Sequence, residues 1–151
     1  MNYNKFLFAL LIAPILLTAS CVEVQSEEKA PTQPKRLLIN LTSDASTNAH
    51  GSMMGLHFAE KALKNNVEVT VFMNVDGVKL LKPGADTIMF DGENIRQLLD
   101  KVAEEGGELV ACPHCMKVHG LQKSDLPDNV TFGEESVVMG KIKESPTVFT
   151  Y

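Results

Sequence analysis

Three observations predict an α/β domain of three layers, with a mostly parallel five-stranded sheet between layers of helix. Short apolar and β-branched runs alternate with helix-period stretches over residues 36–151. That alternation implies parallel strand pairing through right-handed crossovers. The joins are rich in Gly, Asn, Asp and Pro, the residues that stop helices and make turns. Finally, a chain of 151 residues with 44% apolar content suits one domain with a full core.

Taken in order, residues 37–42 (Leu-Leu-Ile-Asn-Leu-Thr) are apolar enough for a buried first strand. Residues 43–51 are polar and read as a loop, with His50 in it. Residues 52–65 follow a helical pattern. Leu56, Ala59 and Leu63 share a face, Glu60 and Lys64 form an i,i+4 pair opposite, and His57 falls among the solvated positions. Residues 67–73 are a second strand. Asn74-Val75-Asp76-Gly77 is a turn signal, followed by an irregular passage to Asp91 that is long enough to be a functional loop or lid. Asp91 then opens the clearest helix, in which Ile95, Leu98, Leu99, Val102 and Ala103 give a full apolar stripe before Gly106-Gly107. As turn and cap residues, Asp76 and Asp91 need no catalytic role. Residues 108–111 form the third strand, 129–132 the fourth after the Pro127-Asp128 turn, and 147–151 the fifth, with a weaker helical segment at 133–145. A spatial order of 2-1-3-4-5 would set the loop 43–51 beside the end of the third strand. That end lies on the carboxyl edge, where such sheets bind ligands at the reversal of strand order.

The first 20 residues stand apart from this domain. Lys5 is their one charge, residues 6–17 are apolar except for Pro14, and Thr18-Ala19-Ser20 supplies small residues before Cys21. This is the pattern of a secretory signal peptide, too short to span a membrane. Leu17-Thr18-Ala19-Ser20-Cys21 also resembles a bacterial lipobox, with Thr18 where Leu is usual. The resemblance implies acylation of Cys21; ordinary cleavage after Ser20 with a free Cys21 is the alternative. Residues 21–35 carry Glu23, Glu27, Glu28, Pro31 and Pro34 without apolar periodicity and read as a flexible tether. The expectation is an exported domain, 36–151, lipid-anchored on the periplasmic side of a bacterial membrane. A formal net charge of −5 without a basic patch argues against nucleic acid as a partner.

The chemistry concentrates in Cys112-Pro113-His114-Cys115. Pro113 suits the first position of a helix and Gly120 the residue past its end, which puts Cys112 at the helix N-cap. A thiol there faces unpaired N–H groups and the positive end of the helix dipole, and both favour thiolate. A disulfide between cysteines so close in sequence would close almost no loop and add little stability, so the pair is expected to be chemical. Cys112, Cys115 and His114 are the candidate site residues.

Four passages together resemble the DsrE/DsrF-like family: residues 37–42, Val71-Phe72-Met73-Asn74-Val75-Asp76-Gly77-Val78, Val110-Ala111-Cys112, and Gly120-Leu121. The resemblance spans residues 36–151. It implies a DsrE-like sheet, a persulfide carried at the position of Cys112 as in the family's sulfur-relay subunits, and assembly as homo-trimers or hexamers. This chain departs from the pattern in its second thiol, Cys115, and in its export signal.

Several chemistries fit these residues. In sulfur transfer, Cys112 accepts a sulfane sulfur from a donor protein or small sulfur compound and Cys115 resolves it. In dithiol redox, Cys-Pro-His-Cys is the active-site tetrapeptide of the thiol oxidase DsbA, here after the third strand instead of the first. In copper or zinc binding, Cys112, Cys115 and His119 are soft ligands, with His114, His50, His57, Met53 and Met54 as further candidates, although no complete zinc spacing is present. Met53 and Met54 suit packing equally well, and His119 suits a bystander role. A tethered binding domain with two incidental cysteines is the non-catalytic alternative. No cofactor is expected, and the motifs of phosphate-loop enzymes, serine hydrolases and zinc proteases are missing from the sequence.

Overall fold

The computed structural model describes residues 35–145 and 147–151. The signal segment, Cys21 and the tether up to residue 34 lie outside the described residues. Among the described residues, seven strands and four α-helices follow in chain order: β1 (Arg36–Leu41), α1 (Ala49–Lys64), β2 (Glu68–Met73), β3 (Met89–Phe90), β4 (Glu93–Asn94), α2 (Ile95–Glu104), β5 (Glu108–Ala111), α3 (Pro113–Val118), β6 (Val130–Phe132), α4 (Glu135–Glu144) and β7 (Thr147–Thr150). Five strands form one all-parallel sheet, and β3–β4 is a separate antiparallel ribbon.

The sheet order is β6-β5-β2-β1-β7. This corrects the 2-1-3-4-5 expectation, and the reason lies in the helices. Helices α1 and α2 pack against each other on one face of the sheet. Right-handed crossovers that keep their helices on one face advance the sheet in one direction, so β5 follows β2 on the side away from β1. Helix α4 lies over the opposite face, where Val138 and Lys141 meet Leu38, Thr70, Phe72 and Val110, and it returns the chain to the far side of β1. The reversal of strand order therefore falls between β1 and β7, while Cys112 follows β5, two strands away from β1.

Alternation along the strands builds the core. Leu37, Ile39 and Leu41 of β1, Val69, Val71 and Met73 of β2, and Leu109 and Ala111 of β5 pack with Leu56 and Ala59 of α1 and with Ile95, Leu98, Leu99 and Val102 of α2. Between the helices, Glu60 is buried and bonds to Lys64 and, at 2.7 Å, to Lys101 of α2. The other face is thinner: α4 contributes no buried residue and β7 is exposed along its length.

Three local expectations change. Helix α1 begins three residues before its predicted start, because the Asn48 side chain caps it by accepting the Gly51 N–H at 3.1 Å; His50 is thus helical and stacks on Phe90. Helix α2 starts at Ile95 under the Asn94 cap, while Asp91 occupies the β3–β4 turn at φ 49°. The passage before it is no lid: Val78, Leu80, Leu81 and Ala85 are buried, and two short 3₁₀ turns, Gly77–Leu81 and Ala85–Thr87, hold them there. No helix among the described residues is long and apolar enough to cross a membrane.

Candidate functional site

Strand β5 delivers Cys112 to the carboxyl edge, as expected. The Cys112 N–H donates to the Met73 carbonyl at 2.9 Å, prolonging the β2–β5 ladder by one bond. Cys112 then becomes the N-cap of α3: its backbone is extended, Pro113 takes the first helical position, and its Sγ accepts the Cys115 N–H at 3.4 Å. At the other end the Leu121 N–H reaches the Met116 carbonyl (2.8 Å) and the Gly120 N–H the Lys117 carbonyl (3.2 Å), with Gly120 at φ 74°. This is a complete Schellman close, and buried Met116 and Leu121 anchor it to the core. A six-residue helix is held rigidly at both ends, and the dithiol occupies its first turn.

Cys115 faces the loop after β2. Its Sγ accepts the N–H of Val75 at 3.0 Å, and its own N–H points at Cys112 Sγ. Burial pushes the Cys115 thiol up, the Cys112 contact adds to that, and the Val75 N–H opposes both. Val75 is in the left-handed region at φ 49°, rare for a β-branched residue, with its side chain 54% exposed. The loop is fixed beneath it. The Asn74 N–H donates to the Leu41 carbonyl at 3.0 Å and the Gly77 N–H to Asn74 at 2.8 Å. A Cβ on Gly77 would lie 2.1 Å from the Leu41 oxygen.

Charged groups continue from this loop. His119 Nε2 lies 3.1 Å from the Val75 carbonyl and 3.2 Å from Asp76 Oδ1. Lys79 bridges Asp76 and Asp44 at 2.8 Å each. Lys79 and the Ser46 hydroxyl hold the Asp44 carboxyl down at about 2.

Of the expected site residues, Cys112 and Cys115 are brought together. His114 is exposed, and none of the described hydrogen bonds involves its ring. His57 is not solvated: its Nε2 bonds to Glu93 at 2.5 Å and its Nδ1 approaches Glu60 at 3.5 Å, tying α1 to the ribbon. Met53 is buried, Met54 exposed. Among the described residues no three His, Cys, Asp or Glu side chains group as a metal site would require. Sequence reasoning missed the Val75 amide, Asp76 and Lys79. Asn-Val-Asp-Gly marked a turn, but a backbone donor leaves no trace in residue chemistry.

The sequence profile of the DsrE/DsrF-like family matches residues 35–151, the whole described region. The chain belongs to the DsrE/DsrF-like family. An uncharacterized protein of Methanopyrus kandleri is 31% identical over 109 residues, covering 72% of this chain and 88% of that protein. One of Methanocaldococcus jannaschii is 29% identical over 96 residues, covering 64% and 82%. Among solved structures, the ychN protein of E. coli superposes with TM-score 0.58 at 19% identity, covering 79% of this chain and all of that one. A protein of Methanobacterium thermoautotrophicum gives 0.58 at 15% identity, covering 78% and 99%. These two establish the likeness of fold.

Proposed function

We propose that this DsrE/DsrF-like protein accepts sulfane sulfur on Cys112 and uses Cys115 as the resolving thiol. The observation that carries the reading is a pair of thiols one helical turn apart, with a backbone N–H directed at each sulfur. In loading, the Cys112 thiolate attacks the outer sulfur of a persulfide or polysulfide. The donor S–S bond breaks, Cys112 becomes a persulfide, and the donor leaves as a thiolate. In delivery, an acceptor thiolate attacks that outer sulfur and Cys112 returns as a thiolate. In resolution, the Cys115 thiolate attacks Cys112 Sγ, forming the Cys112–Cys115 disulfide and expelling hydrosulfide; a thiol reductant then restores the pair. His114, two residues after Cys112 and open to solvent, is assigned the removal of the Cys112 thiol proton that precedes loading.

This reading includes export and anchoring through acylated Cys21, a donor or acceptor that is a thiol protein or small sulfur compound, and a trimeric or hexameric assembly. The same pair of thiols favours a second reading, dithiol–disulfide exchange with a partner protein. Intact-mass spectrometry separates the two. A Cys115→Ser variant, in which a persulfide on Cys112 cannot be resolved, is reduced and incubated with polysulfide beside a Cys112→Ser/Cys115→Ser control. A gain of one sulfur atom that the control lacks is expected; no sulfur gained in Cys115→Ser, while the wild type loses two hydrogens, would replace sulfur carriage by dithiol redox.

A further inference from the structure

His119 ends α3, and the steps above make no use of its ring. Both groups within reach of its Nε2, the Val75 carbonyl and the Asp76 carboxylate, are acceptors, so Nε2 carries a hydrogen and donates it. The ring is not needed to close the helix, because the backbone N–H of His119 makes the capping bonds to the Cys115 and Met116 carbonyls. What the ring holds is Val75. The Val75 side chain is largely exposed and cannot fix its own backbone. Its left-handed conformation, which β-branched residues avoid, is tied at two points: the N–H to Cys115 Sγ and the C=O to His119. Asp76, itself bonded to Lys79, lies 3.2 Å from the same Nε2 and shares its hydrogen with the Val75 carbonyl.

We propose that His119 is a positioning residue: by holding the Val75 carbonyl it keeps the Val75 N–H on the sulfur of Cys115, and so supports the thiolate that resolves the Cys112 persulfide. This rests on the reading of Cys115 as the resolving thiol. Loading uses Cys112 alone and is independent of the clamp. Resolution needs Cys115 as thiolate in a half-buried place, where each N–H donor to sulfur counts. The titratable and charged groups around Cys115 are Cys112 and exposed His114 on its own helix turn, His119 at the end of that helix, and Asp76 and Lys79 along the facing loop, with Asp44 behind Lys79.

The test uses the full chain with Cys112→Ser, which keeps an N-cap oxygen and leaves Cys115 as the thiol to be read in the domain. The rate of Cys115 alkylation by iodoacetamide is followed against pH, with the modified residue identified by peptide mass. His119→Asn is too short to reach the Val75 carbonyl; His119→Gln carries an amide N–H as far from the backbone as Nε2. In His119→Asn, alkylation at neutral pH is expected to slow about tenfold, as losing one hydrogen bond to a charged sulfur implies, with the pH midpoint moving up. His119→Gln restores most of the rate. With Cys112 intact, His119→Asn slows hydrosulfide release by a similar factor and leaves sulfur uptake unchanged. An unchanged alkylation profile in His119→Asn, or the same loss in His119→Gln, overturns the assignment. The alkylation assay needs no sulfur donor, so a wild-type protein that fails to load sulfur counts against the carrier reading alone.

Discussion

Replacing Asp44 by Asn measures how firmly the loop after β1 is tied to the loop that meets Cys115. Asp44 Oδ2 lies 2.8 Å from Lys79 Nζ, and Oδ1 accepts the Ser46 N–H at 2.9 Å and its hydroxyl at 2.6 Å. Lys79, then Ser46, bring the carboxyl from its ordinary 3.8 to about 2. In free energy that difference is about 2.4 kcal/mol. Lys79 is partly exposed and water screens the pair, which lowers the expectation to about 1.5 kcal/mol. Asn preserves the size and the Ser46 contacts and removes the charge. Because the folded-state pKa is depressed, this stability is complete above the ordinary carboxyl pKa and disappears as pH falls toward 2. Urea denaturation of wild type and Asp44→Asn should therefore show a gap of about 1.5 kcal/mol at pH 7 and pH 5 that narrows at pH 3 and closes near pH 2. A gap below about 0.5 kcal/mol at pH 7, the ordinary spread of surface substitutions, would refute the reasoning. So would a gap of the same size at pH 2.

Two further substitutions probe the loop itself. Gly77→Ala puts a methyl group where the Leu41 carbonyl oxygen stands, 2.1 Å away; thermal denaturation should show a loss of at least about 2 kcal/mol, and Cys115 alkylation should change as the turn is displaced. Val75→Gly removes the cost of a left-handed β-branched residue at an exposed position, and a gain of about 1 kcal/mol in unfolding free energy from urea denaturation is expected; a loss of stability would count against the left-handed turn.

The parts of the fold that were legible are those written in local chemistry. The stripe of Ile95, Leu98, Leu99 and Val102, the glycines at 106 and 120, and Pro113 after an apolar run fix helices, stops and the N-cap of Cys112 without reference to anything distant. The start of α1 was obscured because its first turns are rich in small residues. Gly51 is crowded by its own cap, Ser52 is fully buried, and a Cβ on Gly55 would lie 3.1 Å from the Tyr151 side chain, so packing, not helix propensity, chose them. Asp91 was a plausible cap displaced by Asn94, because either side chain can accept an N–H and three residues decide between them. Strand order was unreadable for a different reason. It depends on which face each crossover helix occupies, and amphipathic patterns show which side of a helix is buried without saying over which face of the sheet. With the order went the identity of the loop beside Cys112, and therefore the Val75 amide, Asp76 and Lys79.

The unequal covering of the sheet sets an order of opening. Strands β1, β2 and β5 are sealed on one face by α1 and α2, and the amides of the β1–β2 and β2–β5 ladders are expected to exchange slowest, while those of β1 that pair with β7 open with it. Helix α4 and strand β7, which bury almost nothing, can detach at a fraction of that free energy and leave the rest standing. Both thiols belong to the slow part. Cys112 is bonded to Met73, Cys115 to the loop anchored on Leu41, and Met116 is buried between them and the core. Fluctuations at the outer edge are thus spent before they reach the sulfur atoms.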